Sequence, residues 1–213
     1  MIAMTETARK SRLSRTCTLV LIALVLLIGG GVLMVWLPYH REQQVITEVE
    51  KLGGSTYSKI VRPIWVTDGV GDEHLWLLKR SYAIDFSNTQ VNDADLEHFR
   101  GLTDLEWLRI NKTRIGDAGL RHLRGLTNLK NLSLNDTLVT NAGVRHLRGL
   151  SNLEEVSLIN TQIDDAGLEH LKQFNNLKEL ILNDTQATRA GIEELRVALP
   201  NCEIHSDYVE LPW

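Results

Sequence analysis

Cysteine is almost absent from the sequence, and its scarcity excludes a disulfide framework. The chain has two cysteines among 213 residues. Cys17 opens a long apolar run and Cys202 lies near the other end of the chain, so the two are not expected to pair. Cys17 also lacks the preceding residues of a bacterial lipoprotein cleavage site, and no lipid anchor is predicted.

The body of the chain has no excess of basic residues. Four of the 23 basic residues lie in the first sixteen positions, where Glu6 is the single acid. The remaining 19 basic and 26 acidic residues give the rest of the chain a formal charge of −7. Because nucleic-acid binding draws on an excess of Lys and Arg, the composition argues against a nucleic-acid partner.

Motifs that carry catalysis or hold a cofactor are also missing from the sequence. There is no G-x-S-x-G, no H-E-x-x-H and no phosphate-binding glycine loop. Paired acids such as Asp164 and Asp165 stand where a helix N-cap is needed. We therefore predict that the protein is not an enzyme, and neither a cofactor nor a metal site is expected.

One long apolar run is present near the N-terminus. Residues 17–37 contain no charged side chain, and a helix of that length reaches ~31 Å against a hydrocarbon core of ~30 Å. Basic residues precede the run and Glu42, Glu48 and Glu50 follow it, so the positive-inside rule places 1–16 in the cytoplasm and the remainder outside. The run is interpreted as a retained single-pass signal anchor, with a cleaved signal peptide as the alternative.

The second half of the chain repeats itself at a spacing of 24 residues. Two apolar columns mark a strand, a threonine column follows them, and further apolar columns mark a helix. Such short units bury their apolar sides only by stacking on one another. The first three columns are Ile84, Leu108, Leu132, Val156 and Leu180; Phe86, Ile110, Leu134, Leu158 and Leu182; and Thr89, Thr113, Thr137, Thr161 and Thr185.

Each unit changes its apolar period halfway. Leu108 and Ile110 alternate with polar residues, which predicts a half-buried strand, whereas Leu120 and Leu123 follow helical spacing. The intervening pairs are predicted to supply a turn and an N-cap, and the basic residue with the glycine after it is predicted to end each helix. The pairs are 92–93, 116–117, 140–141 and 164–165, and the helix ends are 100–101, 124–125 and 148–149.

These residues resemble the leucine-rich repeat family. The signature L-x-x-L-x-L-x-x-N/C-x-L begins at Leu105, with Thr113 where Asn or Cys is usual; we interpret the threonine column as hydroxyls turned inward to satisfy backbone groups. Units of the T-D-A-G-L type make the chain similar to short bacterial membrane-anchored members, which often place a helix ending in "EKLGG" before the repeats. The resemblance implies an α/β solenoid, with a parallel β-sheet on the concave face and short helices on the convex face.

The chain is accordingly divided into five segments. A helix with Val45, Ile46, Val49 and Leu52 on one face, ended by Gly53, is predicted to open an α+β N-terminal cap. Trp65 and Trp76 are expected to close the core of the first repeat. The segments are a cytoplasmic basic tail at 1–16, a transmembrane signal anchor at 17–37, a helical linker and cap at 38–83, five leucine-rich repeats at 84–204 and a C-terminal tail at 205–213.

The predicted function is protein–protein interaction by a repeat domain outside a bacterial cytoplasmic membrane, with an unidentified protein as partner. Outward residues of five strands would form the binding face, about 24 Å wide. Trp107 with Arg109, and an exposed Ile159 with Ile181, are of the types that dominate binding energy. The predicted concave-face residues are Asp85, Trp107, Arg109, Asn111, Asn131, Asn135, Glu155, Ile159, Glu179, Ile181 and Asn183.

A basic column on the helices supports an alternative function. An envelope structural protein could bind anionic lipid or polysaccharide through a convex stripe. A histidine column beside it is interpreted as part of a solvated convex face, because no Cys or carboxylate column accompanies it at metal-ligand spacing. The columns are Arg100, Arg124, Arg148, Lys172 and Arg196; and His98, His122, His146 and His170.

Overall fold

The computed structural model describes residues 40–61 and 79–208. The predicted anchor at 17–37 lies outside these residues, as do Trp65 and Trp76 of the predicted cap. Within the described ranges, no helix is both long enough and apolar enough to cross a bilayer.

A single sheet of seven strands runs through the described chain in sequence order. The first strand is antiparallel to the second, and each later pair is parallel. The expected width of five strands is therefore wrong, because one further strand joins each side of the repeats. The strands are β1 (Ser55–Ile60), β2 (Lys79–Asp85), β3 (Trp107–Arg109), β4 (Asn131–Ser133), β5 (Glu155–Ser157), β6 (Glu179–Ile181) and β7 (Glu203–His205).

The parallel strands pair at the spacing that the sequence predicts. Leu108 pairs with Leu132, and Leu132 pairs with Val156. These residues and their equivalents in the other strands are buried, so the apolar columns form one continuous core. The stacked apolar faces shelter one another from water, as expected of a solenoid.

The threonine column closes the turn after each parallel strand from β2 to β6. Thr137 Oγ1 donates to the carbonyl oxygen of Leu134 at 2.6 Å, and Thr113 and Thr161 donate to the equivalent carbonyls at 2.7 and 2.6 Å. These three hydroxyls are buried, so the bonds satisfy carbonyl groups that water does not reach. The prediction of an inward-facing hydroxyl ladder is confirmed.

Short helices return the chain along the convex side. Gly101 and Gly149 follow the first and third repeat helices with φ of +80° and +95°, as predicted for C-terminal glycines. Gly125 differs, because it is the last residue of a 3-10 helix. The helices are α1 (40–51), α2 (Asp117–Leu120), α3 (Asn141–Val144), α4 (Asp165–Leu171) and α5 (Arg189–Ala198), with 3-10 segments at Asp95–Phe99, Arg121–Gly125 and Arg145–Leu147.

The paired residues before these helices form hydrogen bonds both within their own repeat and with the next repeat. Thr140 and Asp164, the first members of their pairs, cap their own helices by accepting from the N–H groups of Ala142 and Ala166. The second member reaches the next repeat instead: Asp117 accepts from Thr140 N at 2.8 Å and from Thr140 Oγ1 at 2.7 Å. The cap prediction is thus correct for Thr140 and Asp164, whereas α2, which follows Gly116, has no side-chain cap.

Helix α1 and strand β1 cover the N-terminal end of the core. Val45 and Val49 are buried, Leu52 packs on the core, and Gly53 ends the helix with φ of +79°. Behind them, Phe86 meets Phe99 edge to face with ring centroids 5.2 Å apart. The prediction of an amphipathic cap helix ended by Gly53 is confirmed.

Candidate protein-binding surface

The outward side chains of the sheet lie in two rows that cross every strand. Residues paired between neighbouring strands face the same side, so the register defines each row. Seven of the eleven predicted residues belong to these rows, and the other four each lie two residues beyond row two in their unit. Row one is Tyr57, Ala83, Trp107, Asn131, Glu155, Glu179 and Glu203, and row two is Ser55, Asp85, Arg109, Ser133, Ser157, Ile181 and His205.

An aromatic slot, formed by Tyr57, Ala83 and Trp107, opens at the N-terminal end of row one. The side chains of Tyr57 and Trp107 are 55% and 39% exposed, although both are large and partly apolar. They border a shared depression of about 280 Å³ that also contacts Tyr82 and Arg109. Water therefore reaches aromatic surface that no described part of the fold covers, which is typical of interaction sites.

Tyr57 was missed at the level of sequence because it lies outside the 24-residue period. Strand β1 contributes it through antiparallel pairing with Ala83. The alternation of Thr56 and Tyr57 across that strand was the only sequence signal. Glu203, in contrast, could have been found by extending the column of Glu155 and Glu179 by one more unit.

Two predicted binding residues are already used by the fold. The Asn111 Oδ1 atom accepts from Ser133 Oγ at 2.7 Å and from Asn135 N at 2.9 Å. Asn135 repeats both bonds one unit later, with Ser157 Oγ and Ile159 N. These amide oxygens hold neighbouring repeats in register, so only the remaining amide surface is available to a partner.

The prediction that Ile159 and Ile181 are exposed is wrong. Both side chains are half-buried. Ser157, which pairs with Ile181 and precedes Ile159 by two residues, is buried at 5% exposure. The apolar surface of this part of the face is therefore smaller than the sequence indicates.

The C-terminal end of row one is acidic. Glu155, Glu179 and Glu203 stand side by side on three neighbouring strands. Asn131 Nδ2 donates to Glu155, and His205 Nε2 lies 3.4 Å from Glu179 Oε1 and 3.5 Å from Glu203 Oε1. The face thus changes from aromatic to anionic along one row.

Three features of each 24-residue unit identify the fold: the strand register, the inward threonine and the helix on the convex side. It is a leucine-rich repeat solenoid. The identification depends on the geometry of this chain, where each unit contributes one strand, one hydroxyl-closed turn and one short helix to a shared core.

Several solved leucine-rich repeat structures are similar to this chain in fold. The leucine-rich repeat protein LIC12759 of Leptospira interrogans matches 51% of this chain and 27% of its own, at 24% identity and a TM-score of 0.42. Internalin C2 of Listeria monocytogenes matches 58% of this chain and 69% of its own, at 19% identity and a TM-score of 0.35. Internalin F from the same species matches 57% of this chain and 39% of its own, at 22% identity and a TM-score of 0.40. This chain therefore spans less than half the length of two of the three.

No family model and no curated protein sequence matches the chain. The leucine-rich repeat fold is thus established from its repeats, and the surface must be interpreted from its own residues.

The histidine column of the leucine-rich repeats is not uniformly solvated. His98 is exposed, but His122 is only 5% exposed, and its Nδ1 has no hydrogen-bond partner among the described residues. Burial, followed by the nearby charges of Arg100 and Arg121, lowers the pKa of His122. The interpretation of the column as solvated convex surface is wrong for this member.

Burial and the Arg124 guanidinium lower the pKa of His146 in the same way. Arg124 contacts the Nδ1 atom of this ring, which lies one repeat further along. Across the described ranges, no three His, Cys, Asp or Glu side chains are placed to hold a metal ion.

The basic column is partly neutralised by acids on the same helices. Arg100 lies 3.6 Å from Glu97, Arg196 lies 3.5 Å from Glu193, and Lys172 contacts Glu169. In contrast, Arg124 and Arg148 are exposed and pair with no carboxylate in the described part of the chain. The continuous stripe expected from the sequence is reduced to its central members.

Cys202 lies at the C-terminal end of the core, in agreement with a structural role. Burial, with the charges of Glu179 and Glu203, raises the pKa of its thiol to about 11. The thiol is therefore protonated near neutral pH and is a poor nucleophile.

Proposed function

We propose that this chain is a membrane-anchored, extracytoplasmic interaction module that holds another protein on its concave face and catalyses no reaction. The observation that carries the proposal is the exposed aromatic slot. Trp107, 39% exposed and next to Arg109 across the depression, combines the two residue types that most often dominate binding energy. The fold gives these side chains no covering element of its own among the described residues.

The size of the face limits the affinity of such a complex. Seven strands at ~4.8 Å and a height of ~17 Å give roughly 570 Å² of projected area. A standard interface buries ~800 Å² on each partner. Binding through this face alone is therefore weak, and a partner confined to the same membrane would gain occupancy from its raised effective concentration.

The anchor and its orientation belong to the same proposal. The apolar run at 17–37 follows a basic tail, and α1 is already helical at residue 40. Such a short connection would keep the capped end of the solenoid close to the bacterial cytoplasmic membrane, outside the cell interior. Alkaline extraction of isolated membranes tests this, because a protein released into the supernatant has no spanning anchor.

A crosslinking pull-down from intact membranes tests the binding function. A partner that uses the slot should be captured by the wild-type chain and lost on Trp107→Ala. The matched control is Val197→Ala, which removes apolar surface from a side chain 83% exposed on α5. Equal capture by wild type and Trp107→Ala would show that the concave slot holds no partner.

A second function is favoured by the unpaired centre of the basic column. Arg124 and Arg148 of that column are exposed, as are the neighbouring Arg121 and Arg145 outside it, and none of the four pairs with a carboxylate in the described ranges. An envelope structural protein could bind anionic lipid or polysaccharide there. Arg124→Glu with Arg148→Glu should then abolish binding to anionic liposomes or glycans at low salt, whereas Lys112→Glu with Arg114→Glu should not.

A further inference from the structure

The aromatic slot has room for one side chain of a partner. Tyr57 and Trp107 are separated by one strand, whose residue in the same row is Ala83. Side chains two strands apart are ~9.6 Å from each other. Aromatic pairs favour centroid separations of ~4.5–7 Å, so a single planar or aliphatic group fits between the two rings over the small floor that Ala83 leaves.

The same row supplies negative charge at a fixed distance from the slot. Glu155 is two strands beyond Trp107, and Glu203 is four strands beyond it. Because the centre of the slot lies at Ala83, one strand before Trp107, these carboxylates lie ~14 and ~24 Å from it at ~4.8 Å per strand. A second depression borders Trp107, Asn131 and Glu155, so the surface between the slot and the first glutamate is also concave.

The Lys and Arg side chains of residues 40–61 and 79–208 do not cancel that charge. On strands β5 to β7 the two outward rows contain no Lys or Arg, and His205 is their single basic group. Lys178 is close in sequence but contacts Glu154, which lies outside both rows. The acidic end of the face is thus left for a partner of opposite charge.

We infer that the concave face binds an extended basic polypeptide segment that places one aromatic or aliphatic side chain in the slot and Lys or Arg side chains on the glutamates. An extended chain advances ~3.3 Å per residue. The basic residues should therefore follow the anchoring side chain at about four and about seven positions. This inference rests on the proposed function, since it names the chemistry of the partner that the concave face would hold.

Fluorescence anisotropy with the full-length chain and three labelled nine-residue peptides tests the inference. The first peptide carries Trp at its second position and Lys at its sixth and ninth, with Gly and Ser elsewhere. The second has Glu in place of both Lys, and the third has Ser in place of Trp. The Trp–Lys peptide should bind at least about tenfold more tightly than either of the others, which corresponds to about 1.4 kcal/mol.

Variants of the chain assign the effect to the row. Glu179→Gln with Glu203→Gln should weaken the Trp–Lys peptide about tenfold, whereas Glu50→Gln with Glu193→Gln changes the net charge equally and should not. Tyr57→Ser should remove the preference for Trp over Ser. Thermal unfolding of each variant shows that it is folded. Equal affinity of wild type for the Lys and Glu peptides overturns the inference without use of any variant.

The pull-down separates this failure from failure of the proposed function. The binding function is supported and a basic segment is refuted if a partner is lost on Trp107→Ala but retained by the Glu179→Gln, Glu203→Gln variant. Capture that does not depend on Trp107 refutes the concave face itself.

Discussion

At the scale of single residues, one glycine column explains how the repeats come close enough to share hydrogen bonds. Gly119, Gly143 and Gly167 each face an oxygen of Asp93, Asp117 or Asn141 in the preceding repeat. A Cβ on Gly119 would lie 2.6 Å from Asp93 Oδ1, the atom that accepts from Gly116 N at 2.7 Å. The glycine is needed for space, because any side chain would displace the acid that joins the two units.

Replacing Gly143 by alanine should therefore destabilise the solenoid. The new Cβ would overlap Asp117 Oδ1, which accepts from Thr140 N. Loss of that partly buried bond to a carboxylate should lower the free energy of unfolding by about 1–3 kcal/mol. Urea unfolding measures the change. Gly125→Ala is the control, since no atom lies within 4 Å of its added Cβ, and an equal loss there would contradict the explanation.

The buried imidazole of His122 predicts a pH-dependent stability. Burial and Arg100 and Arg121 lower its pKa in the folded chain, against the opposing charges of Glu97 and Asp93. The unfolded chain therefore takes up the proton first, and stability should fall as the pH drops below the unfolded value of about 6.5. The loss should level off once the pH is below the folded pKa.

Chemical unfolding of the wild type and His122→Gln between pH 7.5 and 5 measures this slope. The variant should show a shallower dependence, because it has no proton to bind at that position. His98→Gln, at an exposed position of the same column, should retain the wild-type slope. Parallel slopes for wild type and His122→Gln would show that the His122 imidazole does not contribute to the pH dependence of stability.

At the scale of elements, the cap helix α1 stabilises the solenoid by covering its first core layer. Val49 is completely buried, and a Cβ on Gly54 would lie 2.5 Å from the ring of Phe86. Helix, turn and first repeat are thus in close contact. Without α1, the apolar end of the stack would face water.

Val49→Thr tests the contribution of α1 with little change in shape. An unpaired hydroxyl in this layer should lower the free energy of unfolding by about 1–3 kcal/mol. The same substitution at Val197 adds a hydroxyl where 83% of the residue is exposed, and it should change stability by less than about 0.5 kcal/mol. Equal urea midpoints for the two variants would show that α1 does not support the core.

At the scale of the whole molecule, the sequence predicts the structural features that recur every 24 residues and misses those that lie outside this period. The columns of Leu108, Ile110 and Thr113 predict strand, core and turn correctly, because each unit has the same surroundings as its neighbour. Strand β1 pairs antiparallel outside the period, so this strand and its Tyr57 could not be read from the columns, whereas β7 continues the column of Glu155 and Glu179 to Glu203. His122 and His98 share a column but differ in burial, which only their packed neighbours determine.

The stacked architecture also predicts how the molecule unfolds. The helices α2 to α5 pack mainly on those of the adjacent repeats, so stability should be nearly one-dimensional along the stack. Leu147 and Leu195 occupy equivalent core positions and are both fully buried. Alanine at either position should cost about 2–5 kcal/mol locally, yet the consequences should differ.

Hydrogen exchange resolves the difference strand by strand. Leu195→Ala should reduce protection in α5 and β7 while β3 and β4 remain protected, because the damage lies at the end of the stack. Leu147→Ala should reduce protection in the central strands on both sides, since it weakens two interfaces at once. Uniform loss of protection across all strands on Leu195→Ala would instead show that the repeats unfold as one cooperative unit.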